Sequence, residues 1–323
     1  MRAMVWTAYG GPDAFELQER PEPEPKPNEI KIKVAATTVT AGDCEARRMD
    51  FPVFLRWAMR LYLGVFRPRA GKVQGQELAG EVVAVGEAVT RFAPGDKVYA
   101  ATLMRFGACA EYLCLPETYP IAPIPPGFDA MQAATIPTGG LNALHFLRMA
   151  DLKAGDRLLI NGAGGSIGTY ALQIAKAWGA EVTCVDSAEK LPMLTRLGAD
   201  VVLDYRQTDF AAEQDRYDVI IDVIGRAVSE HRLSALTPQG RYVLGAPTLS
   251  AMIAASRRNK RSAQTIHTRF ADYRPEHLTQ MHELIAAGKI SPAIDKVLPL
   301  EALAEAHRYV ESGLKQGHVV ITL

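Results

Sequence analysis

An apolar run, Leu158-Leu159-Ile160, leads through Asn161 into a glycine-rich turn, Gly162-Ala163-Gly164-Gly165-Ser166-Ile167-Gly168, and then into a helical stretch, Thr169–Trp178. Gly162, Gly165 and Gly168 recur at every third position. Without Cβ atoms there, a pyrophosphate can lie against backbone N–H groups at a helix N-terminus, where the helix dipole favours negative charge. A glycine triplet alone says little. This one lies between an apolar strand and an amphipathic helix, and a second strand, Glu181–Val185, follows and ends in the acid Asp186. In that setting the turn specifies a dinucleotide-binding βαβ unit.

The surrounding chain continues the pattern. Strands are predicted at Arg157–Ile160, Glu181–Val185, Val201–Asp204, Val219–Val223 and Gly240–Leu244, and helices at Thr169–Trp178, Ala188–Leu197 and Val228–Leu236. Repeated βα units of this length imply a parallel sheet with right-handed crossovers. The N-terminal part reads differently. Arg2–Ala8, Glu29–Val39, Leu78–Val89, Lys97–Ala101 and Gly107–Leu115 are β-prone, with Ile30, Ile32 and Val34 on one face. Pro21–Pro27 is an extended connector, and Pro94-Gly95-Asp96 a turn. Such spacing suits a partly open barrel. Residues 43–72 read as irregular, and within them Phe51–Phe66 is either a short helix over the core or a flap lining an apolar pocket.

The character changes at Pro125-Pro126-Gly127, with helices at Asp129–Ile136 and Gly140–Met149. Beyond Thr265–Phe270, a candidate edge strand, come a helix His277–Ala287 stopped by Gly288, the stretch Ser291–Pro299, a helix Leu300–Ser312 and a last strand Val319–Leu323. This tail has the α+β character of the N-terminal part. The expected organisation is a β-rich domain of residues 1–122 and 268–323, interrupted by a doubly wound domain of residues 123–267. The basic run Ser256–Arg261 reads as a solvated loop.

Bulk composition narrows the function classes. Lys+Arg and Asp+Glu are both 36, and zero net charge argues against a general binder of nucleic acid or anionic membranes. No run of 18 apolar residues is present, and no secretory leader is evident at Met1–Trp6. Cys44, Cys109, Cys114 and Cys184 form neither a CxxC pair nor a disulfide spacing, so buried reduced thiols in a cytoplasmic protein are expected.

Several segments together resemble the medium-chain dehydrogenases/reductases, and within them the zinc-free quinone oxidoreductase (ζ-crystallin-like) branch. They are Gly75–Gly86, Pro94–Val98, Gly107–Tyr112, Ile136–Ala143, Asn161–Gly168, Leu197–Asp200 and Gly288–Ile290. The resemblance spans nearly the whole chain. It implies an α/β protein with a GroES-like β-rich catalytic domain and a Rossmann domain. By motif alignment, the family's Cys, His and Cys zinc ligands fall on Thr40, Gln76 and Thr138, a set Zn²⁺ does not favour. No metal is expected, and the histidines 277, 282, 307 and 318 are placed on surface helices and the tail.

The implied cofactor is NAD(P)H, held by Gly162, Ala163, Gly165, Ser166, Ile167 and Gly168. Asp186, 18 residues after Gly168, can bind the adenosine ribose hydroxyls and repel a 2′-phosphate, which favours NAD(H). Lys190 and Tyr205 match positions that contact the 2′-phosphate in the NADP-using relatives, so both cofactors stay open. Leu244, Gly245 and Ala246 follow the fifth strand and are expected under the nicotinamide. The reaction implied is hydride transfer to a quinone or an α,β-unsaturated carbonyl, a small apolar substrate. Candidate polarising donors are Thr40, Thr138 and Asn142, of which Thr40 and Asn142 also match positions near the nicotinamide ribose. Asp43 either acts there or holds the backbone. An alcohol or carbonyl dehydrogenase, and a nucleotide-binding protein without turnover, are the alternatives. Thr265–Phe270 as an exposed edge suggests a homodimer through sheet continuation.

Overall fold

The computed structural model describes residues 1–51 and 53–323, and it divides into two compact units. One comprises Met1–Thr138, Tyr273–Ala286 and Ile294–Leu323; the other comprises Gly139–Asp272 and Ala287–Ala293.

The first unit is built on the long strand Glu29–Val39. Along one edge it pairs antiparallel with Glu77–Val85; along the other, Tyr112–Pro116 covers its first half and His318–Thr322 its second. Lys97–Ala101 and Ile121–Pro123 extend the sheet on one side, and Ile294–Pro299 on the other. Register shifts between Lys31 and Ile32 and between Val34 and Ala36 bend the strand, as bulges do, so the sheet curls around its core. That core contains Ile30, Ile32 and Val34 with Leu78, Val82, Val98, Leu115 and Ile121. A second core gathers Trp6, Val39, Cys44, Leu303, Val310 and Ile321.

Two local expectations are corrected in this unit. Residues 43–72 are not all irregular, because Ala41–Arg48 is a helix, opened by a capping box in which Thr40 and Asp43 each satisfy the other's backbone N–H. Val53–Leu63 is also a helix, while Pro52 lies outside the described residues. His307 is buried rather than on a surface helix, and His318 of the tail is buried as well. His307 faces inward because Leu303, Ala306, His307 and Val310 share one helix face.

The second unit carries a six-stranded, wholly parallel sheet. In space its strands run Val201–Asp204, Glu181–Asp186, Arg157–Asn161, Tyr217–Asp222, Leu236–Leu244, Thr265–His267. That is the order 3-2-1-4-5-6 of a dinucleotide-binding sheet, with its switch point between the first and fourth strands. Thr265–His267 is the edge strand and is shorter than Thr265–Phe270. The basic run is not a loop throughout: Ser256–Arg258 form the last turn of the helix Leu249–Arg258, where cations suit the dipole.

The division between units falls inside the helix Ile136–Met149, whereas residues 122 and 123 marked it in sequence. The short helix Ala130–Ala134 packs on the strands of the first unit, which keeps the intervening segment there. Conversely, the Ser291 amide donates to Gln173 Oε1 at 2.7 Å, tying that stretch to the second unit.

Candidate functional site

In the second unit the glycine turn joins the strand Arg157–Asn161 to the helix Ser166–Ala177. Gly162 has φ +82°, a backbone conformation that a side chain would strain. Gly168 permits close approach: a Cβ there would lie 2.4 Å from the Ala163 carbonyl oxygen. Ala163 is buried, and its amide and that of Gly162 both donate to the Val185 carbonyl. The N-cap is Gly165, which offers no side-chain acceptor. Thr40, Asp129, Ser229 and Thr248, by contrast, cap their helices with their own oxygens. The N-cap residue thus places no side chain over the first turn of this helix, an arrangement that suits a bound pyrophosphate. The residues present fit a dinucleotide.

Asp186 ends the second strand and is almost fully buried. Its Oδ2 accepts from the Gly164 amide at 2.8 Å, and its Oδ1 accepts from the Ser187 amide at 2.8 Å. Lys190 Nζ lies 3.1 Å from the same Oδ1. The carboxylate thus braces the glycine turn and is neutralised within its own segment. Tyr205 is exposed beside it, with the Arg206 guanidinium 5.5 Å from the ring centre. Its amide donates to the Asp186 carbonyl.

A feature that sequence reasoning missed lies at the switch point. Asp222 ends the fourth strand fully buried. Its carboxylate accepts from Asn161 Nδ2 at 2.8 Å, Tyr242 Oη at 2.7 Å and Arg232 Nη1 at 2.8 Å. Its carbonyl accepts from the Gly245 amide, and the Val223 amide donates to the Asn161 carbonyl. One residue therefore fastens the carboxyl ends of three adjacent strands, including the one that enters the glycine turn. Leu244, Gly245 and Ala246 follow the third of these ends, with Leu244 buried. The sequence marked only a strand, Val219–Val223, with no sign of the distant partners of Asp222.

In the first unit, two fully buried carboxylates organise the predicted donors. Thr40 Oγ1 donates to Asp43 Oδ2 at 2.7 Å, and the same Oδ2 accepts from the Thr40 amide at 2.9 Å. Of the two roles open to Asp43, holding the backbone is one it performs. Glu77, which sequence reasoning did not single out, accepts from Thr38 Oγ1 and from the Thr138 amide, the latter at 2.6 Å. Burial pushes the Glu77 carboxyl up to about 7; the Thr38 and Thr138 bonds oppose this, and Asp43 adds to it. Burial likewise raises Asp43 to about 6, against its bonds to Thr40 and the Lys315 cation. Thr40 and Thr138 thus share one unit and one coupled pair of acids. Asn142 lies four residues after Thr138 on the same helix, in the second unit.

The remaining candidates are inert. All four cysteines are free and buried. Cys44 Sγ meets His307 Nδ1 at 3.3 Å, but burial lifts the thiol to about 12 and lowers the imidazole to about 3. Both are neutral at pH 7. Among the described residues, no group of three or more His, Cys, Asp or Glu is arranged to hold a metal ion, and no helix is long and apolar enough to cross a membrane.

Residues 26–126 match the family model for the alcohol dehydrogenase GroES-like domain, and residues 197–321 match that for zinc-binding dehydrogenase. The chain is 30% identical to the chloroplastic NADPH-dependent alkenal/one oxidoreductase of Arabidopsis thaliana, over 99% of this chain and 79% of that protein. Among solved structures, the quinone oxidoreductase of Coxiella burnetii is 27% identical with a TM-score of 0.88, covering 100% of this chain and 99% of that one. The Escherichia coli quinone oxidoreductase complexed with NADPH is 25% identical with a TM-score of 0.83, covering both chains completely. With two such domains, this strand order and these relatives, the chain belongs to the medium-chain dehydrogenase/reductase superfamily, in its quinone oxidoreductase branch.

Proposed function

We propose that this protein is a zinc-independent NAD(P)H-dependent reductase of quinones or α,β-unsaturated carbonyls. The observation that carries the proposal is the glycine turn, with glycine at its N-cap, that opens a twelve-residue helix at the switch point of a 3-2-1-4-5-6 sheet. In this reading Gly162, Ala163, Gly165, Ser166, Ile167 and Gly168 cradle the pyrophosphate. Leu244, Gly245 and Ala246 form the floor under the nicotinamide. The reduced nicotinamide supplies the hydride. Thr40, Thr138 and Asn142 orient the substrate and polarise its carbonyl.

Zinc independence rests on donor chemistry. Thr40, Gln76 and Thr138 offer hydroxyl and amide groups where Zn²⁺ takes thiolate, imidazole or carboxylate. Asp43 and Glu77, the nearest carboxylates in sequence, are already engaged by Thr40, Thr38 and Thr138. Stoichiometric zinc in the purified protein would refute this point.

For the ribose end, the Asp186–Lys190 pair supports use of both NADH and NADPH, because the lysine cancels the charge that would repel a 2′-phosphate. Tyr205 is exposed beside this pair, with the Arg206 guanidinium against its ring, and supports contact with the adenine end. Four buried free thiols suit a reducing compartment and support a cytoplasmic location. Thr265–His267 supports a homodimer through sheet continuation, which a sizing measurement checks.

The functional test is oxidation of NADH and of NADPH against a quinone panel and an enone panel, with metal-free enzyme. Turnover of either panel is expected. Turnover only with alcohols would make the protein a dehydrogenase, and cofactor binding without turnover would make it a binding protein.

A further inference from the structure

The stretch from Phe51 to Gln76 contains five cations (Arg56, Arg60, Arg67, Arg69 and Lys72) and no acid, in a chain whose net charge is zero. Within it the helix Val53–Leu63 is apolar on two sides. Leu63 is buried and Met59 packs on the core of its unit. The other side carries Trp57, Leu61 and Tyr62, continued past the helix end by Val65 and Phe66. Trp57 is 71% exposed, Leu61 65% and Phe66 91%. Trp57 and Leu61 lie one turn apart on the helix, and Val65 and Phe66 follow just beyond its end, where Gly64 turns the chain at φ +135°.

Singly scattered exposed apolar residues need no explanation, but Trp57, Leu61, Tyr62, Val65 and Phe66, all exposed within one short stretch, do. The cations gather around it. Arg60 Nη1 donates to the Val65 carbonyl just past the helix, and Arg69 Nη2 donates to the Leu61 carbonyl at 2.9 Å. Lys72 Nζ lies 5.3 Å from the Tyr62 ring centre, and the positive charges of Arg105 and Arg69 bear on it. The result is an apolar crest of Trp, Leu and Phe with a cationic rim and no competing acid from its own stretch.

We propose that this crest docks the protein on an anionic lipid bilayer. Trp and Tyr seat at the depth of the headgroups, Leu and Phe enter the acyl boundary, and the arginines meet lipid phosphate. Each cation near such a surface strengthens partitioning about fivefold. A protein partner with an acidic rim would need shape complementarity, whereas a fluid surface accepts exposed aromatic and aliphatic side chains ringed by cations in any arrangement. The zero net charge of the whole chain hides this local asymmetry.

The test is co-sedimentation of the intact protein with vesicles of phosphatidylcholine alone and of phosphatidylcholine with about a third phosphatidylglycerol, with Trp fluorescence as a second readout. Binding is expected only to the anionic vesicles, weakening at high salt, with a blue-shifted emission from Trp57. The double variant Trp57→Ser/Phe66→Ser should bind at least tenfold more weakly, and Arg56→Gln/Arg67→Gln about 25-fold more weakly, both with unchanged circular dichroism. Absence of sedimentation, or equal binding to neutral vesicles, overturns the proposal. If Trp57→Ser/Phe66→Ser instead halves the native mass without vesicles, the crest is an interface between two copies. If that variant raises KM for a water-soluble quinone and leaves vesicle binding intact, the crest is a substrate wall. None of the vesicle readouts depends on the redox activity.

Discussion

Lys190 Nζ stands 3.1 Å from Asp186 Oδ1, so the acid that would read a ribose is paired one helical turn further along its own chain. Asp186→Ser should release Lys190 toward a 2′-phosphate and shift preference toward NADPH by about tenfold, or ~1.4 kcal/mol. Lys190→Met leaves the Asp186 charge uncompensated and should shift preference toward NADH by a similar factor. Dissociation constants for both cofactors, measured by fluorescence quenching, check the pair. Unchanged ratios in both variants would remove this segment from cofactor choice.

Gly168 and Gly164 should respond differently to alanine. At Gly168 the new Cβ meets the Ala163 carbonyl oxygen at 2.4 Å and its Cα at 2.5 Å, both backbone atoms in a buried segment. At Gly164 it meets Lys190 Cδ at 2.5 Å, in a flexible side chain, although Asp186 Oδ2 is also near at 3.0 Å. Gly168→Ala should therefore cost about 2–3 kcal/mol of stability and weaken cofactor binding by more than tenfold. Gly164→Ala should cost about 1 kcal/mol or less. Thermal melts with and without NADPH separate the two.

Asp222→Ala removes the acceptor shared by Asn161, Tyr242 and Arg232. Two of these donors belong to strand residues and cannot turn to solvent, so the expected loss is about 3 kcal/mol. Because the Asn161 strand enters the glycine turn, NAD(P)H affinity should fall with it. Arg232→Gln should lose less, since the arginine is partly exposed. Denaturant midpoints and cofactor titrations of the two variants give the comparison.

The parallel sheet was readable because each of its strands is a short apolar run followed by a turn or helix signal, and Ile30, Ile32 and Val34 revealed the inner face of the barrel in the same way. Residues 43–48 read as irregular although Thr40 and Asp43 stand at capping-box spacing, since Ala41–Arg48 has too few apolar residues to show a helical face. Glu77 was not legible at all. Its importance comes from Thr38 on a neighbouring strand and Thr138 some sixty positions later, and no local pattern records such a meeting. Thr40 and Thr138 were named as donors toward substrate, and each also serves a buried acid. His307 was misplaced because its helix was read as a surface element, although the spacing of Leu303, Ala306 and Val310 marks His307 as lying on the inward face.

Glu77 gives a pH prediction with a definite sign. Its carboxyl sits at about 7 in the folded protein against 4.5 as a free side chain, because burial disfavours the charge. The folded state therefore holds a proton that the unfolded chain has released between those values. The resulting stabilisation is complete below about pH 4.5 and is lost as pH rises through 7, on the order of 3 kcal/mol in all. Asp43, raised to about 6 from 3.8, acts in the same direction over a slightly lower range. Glu77→Gln keeps an acceptor for the Thr138 amide and has no proton to lose. The melting temperature of Glu77→Gln minus that of the parent should rise steadily from pH 5 to pH 8, with Asp43→Asn showing the same trend mostly below pH 6.5. A difference independent of pH would mean that Glu77 is ionised throughout this range, with the Thr38 and Thr138 bonds outweighing burial.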